Sequence, residues 1–171
     1  MSSPRKVALL RGINVGTSKR IAMPALRSVF EAFGATEVST YLQSGNVVFS
    51  GSVSAAQIEE AVAAEFGVAP RVLVLTAEEF RRVAAENPLL EVGADPSRLF
   101  VYFGDAVPAS TEAPVGIEPE VVIVGKHAVY QWSPSGIGTT KVPARFTKSL
   151  GATATARNLR TVEALLGMLE D

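Results

Sequence analysis

Arg11-Gly-Ile-Asn-Val-Gly-Thr-Ser-Lys-Arg20 carries two glycines, an asparagine, two hydroxyls and three cations within ten residues. Glycines let successive backbone N–H groups turn toward one anion, and Arg11, Lys19 or Arg20 would neutralise it. That chemistry is anion binding, with Gly12, Asn14 and Gly16 shaping the cradle. The glycine spacing fits neither a Walker loop nor a dinucleotide fingerprint. The same residues also suit an ordinary strand-to-helix loop, whose glycines meet backbone angles while Asn14 bonds its own main chain. Gln43-Ser-Gly-Asn46 is a hairpin-turn pattern that offers Gln43, Ser44 and Asn46 as polar groups, or simply closes a turn. Ser133-Pro-Ser-Gly-Ile-Gly-Thr-Thr-Lys141 is a second glycine- and hydroxyl-rich loop, with Gly138, Thr140 and Lys141 as its candidates. Arg157 and Asn158 stand where a last helix begins, and the free N–H groups of a helix start attract anions. Asn158 as a plain N-cap accounts for part of that motif without a ligand.

Other chemistry is poorly supplied. Cysteine is absent, which removes thiol nucleophiles, disulfides and Cys-ligated zinc together. His127 is the one histidine, and it has no clear acid or hydroxyl partner in the sequence. The acids fall mainly on helix polar faces and junctions, so a paired-carboxylate site is not supported. No catalytic residue, metal or cofactor is therefore expected. Tyr41, Tyr102, Tyr130 and Trp132 sit on predicted strands. Strand aromatics can stack nucleic-acid bases, but no matching RNA-binding signature accompanies them, and a core position explains them as well.

Charge is unevenly placed along the 171 residues. Arg5, Lys6, Arg11, Lys19, Arg20 and Arg27 precede the first carboxylate, Glu31. Lys126, Lys141, Arg145, Lys148, Arg157 and Arg160 lie in an acid-free stretch from Val121 to Val162, and the acids concentrate between. The net charge of −1 thus hides two basic ends around an acidic middle. If the fold joins those ends, Arg11, Lys19, Arg20, Lys141 and Arg157 share one positive surface. Scattered solvated side chains are the alternative. With 47% hydrophobic and 19% charged residues, the chain can bury a core and is not disordered. No apolar run reaches a membrane span or a signal peptide, so a cytoplasmic location and no membrane partner are expected.

Hydrophobic spacing then supplies the scaffold. A strand from Lys6 to Ile13, a helix opened by Pro24, strands around Val38–Leu42 and Val47–Phe49, a helix capped by Ser54 and Gln57, and a strand from Arg71 follow in order. That is the β-α-β-β-α-β arrangement of a ferredoxin-like unit. Thr76 and Glu79 cap a connecting helix. A strand from Arg98, a Pro-rich stretch without a helix, a hairpin over Val121–Trp132, a helix from Ala144, an extended Ala152–Thr155 and a last helix after Asn158 repeat the order loosely. The expectation is an α+β fold: two ferredoxin-like halves in tandem with a C-terminal helix. Residues 1–75 form the first half, 76–97 the connecting helix and junction, and 98–171 the second half. Leu26, Phe30, Ile58, Val62, Phe66 and Leu165 should be buried.

Ala8-Leu-Leu-Arg-Gly-Ile-Asn-Val-Gly16 and Thr40-Tyr-Leu-Gln-Ser-Gly-Asn-Val-Val-Phe49 resemble domain-of-unknown-function family 1697, a group of small bacterial proteins. Gly136-Ile-Gly-Thr-Thr-Lys141 and Thr155-Ala-Arg-Asn-Leu-Arg-Thr-Val162 continue the resemblance, which weakens between Phe49 and Tyr130. It implies a tandem ferredoxin-like fold and no established activity, cofactor or substrate. Leu159 stands where such relatives usually carry tryptophan, Ala156 where a threonine is common, and Thr17 where another glycine is usual. Three functions stay open. One is a binding protein for nucleic acid or a phosphorylated small molecule. Another is an enzyme acting on a phosphorylated or carboxylated metabolite. The third is a structural or protein-interaction module, whose sign would be an exposed apolar patch.

Overall fold

Val7 to Leu10 form an uninterrupted apolar run, the pattern of a strand buried on both faces. In the computed structural model, which describes residues 4–16, 20–93 and 95–170, this run is the centre of β1 (Arg5–Arg11). Pro24 suits the first turn of α1 (Met23–Ala32), because proline lacks a donor the first turn would leave unused. β2 (Thr36–Tyr41) and β3 (Asn46–Ser50) make a hairpin. Ser54 and Gln57 then close a reciprocal capping box at the start of α2 (Ala55–Phe66). After β4 (Arg71–Thr76), Thr76 Oγ1 accepts from Glu79 N at 3.0 Å and Glu79 Oε2 accepts from Thr76 N at 3.2 Å, opening α3 (Ala77–Ala85). The first sheet runs β2-β3-β1-β4 with every neighbour antiparallel.

The second sheet repeats that order. β5 (Leu99–Phe103), β6 (Val121–Val124), β7 (Val129–Trp132) and β8 (Thr155–Asn158) pair as β6-β7-β5-β8, again antiparallel. α4 (Ala144–Ser149) joins β7 to β8, and α5 (Leu159–Glu170) follows at once. Residues 104–120 carry no helix between β5 and β6, so the second half keeps the sheet and loses one crossover helix. Tandem ferredoxin-like architecture is the result. β8 begins at Thr155, three residues beyond the start of the predicted extended segment.

Contacts divide the chain into Met1–Arg81 with Ala164–Asp171, and Arg82–Glu163. The last part of α5 thus groups with the first unit, where Arg81 Nη2 donates to the Leu169 carbonyl at 3.4 Å. A boundary drawn along the sequence at 98–171 leaves that segment with the second half.

In the first unit, Ala8, Leu10, Val47, Phe49 and Val72 meet Leu26, Phe30, Ile58 and Val62 in one buried cluster. Phe30 and Phe49 lie with ring centroids 5.1 Å apart. Phe66, expected to be buried, is only half-buried, because it ends α2 just before Gly67 turns left-handed at φ 69°. The opposite sheet face is also buried: Val7, Leu9, Val48, Leu73 and Leu75 are between 0% and 7% exposed. In the second unit, Val122, Val129, Phe146 and Leu150 anchor the core beside α4, and Leu99, Val101, Phe103 and Tyr130 on the other face are buried too. Phe30→Ala should lower unfolding free energy by about 3–5 kcal/mol through the cavity it leaves. A fall in the urea midpoint at unchanged denaturant slope checks it. No helix among the described residues is long and apolar enough to cross a membrane.

Candidate functional site

β1 delivers Arg11 to the end of the first sheet, and the chain then turns through Gly12 at φ 92°, Asn14 at 52° and Gly16 at 55°. Left-handed angles are open to glycine and tolerated by asparagine. Asn14 fixes the loop from within. Its Nδ2 donates to the Gln43 carbonyl at 2.8 Å and to the Ile21 carbonyl at 3.1 Å, while its Oδ1 accepts from Ile21 N at 2.7 Å. Arg20 Nη1 donates to the Asn14 carbonyl at 3.0 Å. Ile13 and Ile21, both buried, pin the two ends of the segment. Arg11, Gly12, Gly16 and Arg20 remain on the surface. Lys19 lies outside the described residues.

The β2–β3 turn is packed into the same corner. Leu10 N donates to the Gly45 carbonyl at 2.9 Å. Gly45 takes φ 100°, and a Cβ there would stand 2.8 Å from Leu10 Cβ and 2.9 Å from Ile13 Cδ1, so only glycine fits. Gln43 and Ser44 are exposed. Asn46 is fully buried, and its amide donates to the Tyr41 carbonyl at 2.7 Å and to Ser44 Oγ at 3.2 Å. It holds the turn from inside. Two motifs separated by a helix and a strand in sequence are therefore joined through Asn14 and Gly45. Sequence reading passed over Arg71, which stands directly opposite Arg11 in the β1–β4 register. Only that register could have drawn attention to it.

In the second unit the glycine-rich loop surrounds an anion of its own chain. Glu120, 8% exposed, accepts at Oε1 from Ser133 Oγ (2.5 Å), Thr140 Oγ1 (2.6 Å) and Gln131 Nε2 (3.2 Å). Its Oε2 accepts from Lys141 N at 2.5 Å. Burial pushes the Glu120 carboxyl up, but these four donors outweigh it and hold the group below its ordinary range. Lys141 Nζ donates to the Glu118 carbonyl at 2.8 Å, and Gly138 sits exposed in a short 3-10 turn over Ile137–Thr139. Tyr102 completes the network by donating to Gln131 Oε1 at 2.6 Å; burial, then the nearby Glu120 charge, push its hydroxyl up to about 12. Glu120 was legible only as a junction acid.

Arg157 lies on β8, half-buried, with Nη1 donating to the Ala156 carbonyl; burial lowers its guanidinium to about 10. Asn158 Oδ1 accepts from Thr161 N at 2.9 Å, the N-cap bond expected of it. His127, for which the sequence shows no clear acid partner, has Nδ1 3.0 Å from Glu86 Oε2, because the β6–β7 turn meets the end of α3. Tyr130 is buried and donates to the Val83 carbonyl at 2.7 Å, a core role.

These units define a tandem ferredoxin-like α+β protein, with a basic loop corner on the first sheet and a carboxylate-centred network in the second. The chain belongs to the family described as "Protein of unknown function (DUF1697)", which matches residues 4–130. Among solved structures, a conserved bacterial protein from Streptococcus pneumoniae is similar in fold, with a TM-score of 0.70 and 24% identity over 97% of this chain and 98% of that one. None of the curated proteins matches this chain.

Proposed function

We propose that this protein binds an anionic, phosphate-bearing ligand at the loop corner of its first sheet. Arg11 and Arg20 supply positive charge, the Gly12–Gly16 backbone supplies N–H donors, and Ser44 supplies a hydroxyl. The observation that carries the reading is the Asn14 clamp. Its three side-chain bonds, to both polar atoms of the Ile21 backbone and to Gln43, set the loop before any ligand arrives. A preset loop loses less conformational entropy on binding, which favours affinity. The Gly136–Lys141 loop fits the reading less well, because Glu120 already takes its hydroxyl and backbone donors.

A thermal-shift screen of nucleotides, sugar phosphates and short oligonucleotides at two salt concentrations tests this. A midpoint rise with at least one phosphate-bearing compound, weakened in Arg20→Gln, is expected. No rise with any of them would refute it.

A further inference from the structure

Arg11 and Arg71 form the last residue pair between β1 and β4 at this end of the sheet. Side chains directly opposite in an antiparallel pair project to the same face, with Cβ atoms about 4.5–5.5 Å apart, and like charges placed so repel. Both arginines are exposed. Among the described residues no carboxylate pairs with Arg71. One row inward on the same face, Leu9 stands opposite Leu73, and both are buried. The cationic pair therefore stands at the exposed end of a buried aliphatic row. A Cβ on Gly12 would stand 4.0 Å from Pro70 Cα, so the glycine loop leaves the sheet beside this pair.

We propose that Arg71 is a ligand-binding residue, and that the group held between the Arg11 and Arg71 guanidiniums is the terminal phosphate of a small metabolite. This rests on the anion-binding reading above and narrows it. Guanidinium forks bind phosphate oxygens bidentately, and a dianionic phosphomonoester can accept from two of them at once. Its charge would offset the mutual repulsion of two cations held side by side. A single-stranded nucleic acid asks for something else: a run of cations along a groove and aromatics on an open sheet face. That face is buried here at Val7, Leu9, Val48, Leu73 and Leu75, and Tyr41 at the sheet edge is its single aromatic among the described residues.

The test is titration with inorganic phosphate by calorimetry and thermal midpoint, against chloride of matched ionic strength. Wild type, Arg71→Gln, Arg71→Lys and Arg11→Gln are compared. Arg71→Gln should bind phosphate roughly tenfold or more weakly than wild type. Arg71→Lys keeps the charge but loses the fork, so its affinity should fall between the two. If Arg71→Gln binds phosphate like wild type while Arg11→Gln loses it, the role of Arg71 is overturned and the loop reading stands. If wild type ignores phosphate and binds a short single-stranded oligonucleotide with a steep salt slope, the small-phosphate class is overturned. If neither binds, this inference and the reading beneath it fail together.

Discussion

Glu120→Ala should be the most damaging single change in the second unit, costing about 3–5 kcal/mol of stability. It strands three donors that now converge on one carboxylate, the Ser133 and Thr140 hydroxyls and Lys141 N, while Gln131 Nε2 keeps Ser133 Oγ at 2.8 Å and Thr140 Oγ1 at 3.0 Å. Each buried donor left without an acceptor costs about 1–3 kcal/mol, and shared relaxation keeps the total below their sum. Glu120→Gln keeps the volume but turns an amide toward one of these donors, so about 2–3 kcal/mol is expected. Trp132 is the single tryptophan, lies in this unit and reports its unfolding by fluorescence. The pH dependence has a definite sign. The folded-state pKa of Glu120 is held below its ordinary 4.5, so its contribution is present above that value and is lost as pH falls through the folded pKa. Wild type should weaken on acidification more steeply than Glu120→Gln. Equal stability of wild type and Glu120→Ala at neutral pH would show that the network holds nothing.

Asn14→Ala should cost about 2–4 kcal/mol and abolish the response to phosphate. Two effects add: the loss of three hydrogen bonds, and a Cβ-bearing residue without a polar side chain at φ 52°. Asn14→Gly separates them. Glycine relieves the backbone angle and leaves the bonds missing, so it should recover part of the stability and none of the binding. Chemical denaturation and phosphate titration of the two variants check this together. A glycine variant that binds like wild type would mean that the clamp does not organise the site.

The fold was legible wherever a local rule fixes it. Ser54 with Gln57 and Thr76 with Glu79 announce helix starts through side chains three residues apart, and both boxes form. The Pro-rich stretch before Val121 correctly read as lacking a helix. Strand ends were less visible. β2 begins at Thr36, ahead of the Val38 expected from alternation, because Glu37 takes φ 52° and the register with β3 shifts between Thr36 and Ser39. Thr155–Asn158 hides a strand because Asn158 both ends β8 and caps α5. In the candidate site, the loop residues showed themselves by type, since glycine and asparagine meet positive φ. Arg71 and Glu120 did not. Their meaning depends on other segments, the end of β1 for Arg71 and residues 131–141 for Glu120, and nothing in the spacing around either residue names those partners.

The most direct test of the phosphate corner is a ¹⁵N–¹H correlation spectrum of the full chain during titration with inorganic phosphate at constant ionic strength. Amide shifts should move progressively and saturably at Gly12, Asn14, Gly16, Ser44, Gly45 and Arg71, while Gly138, Thr140 and Lys141 stay still. Saturable shifts centred on Gly138–Lys141 or on Asn158, or no saturable shift anywhere, would contradict an anion site at the Arg11–Arg71 corner.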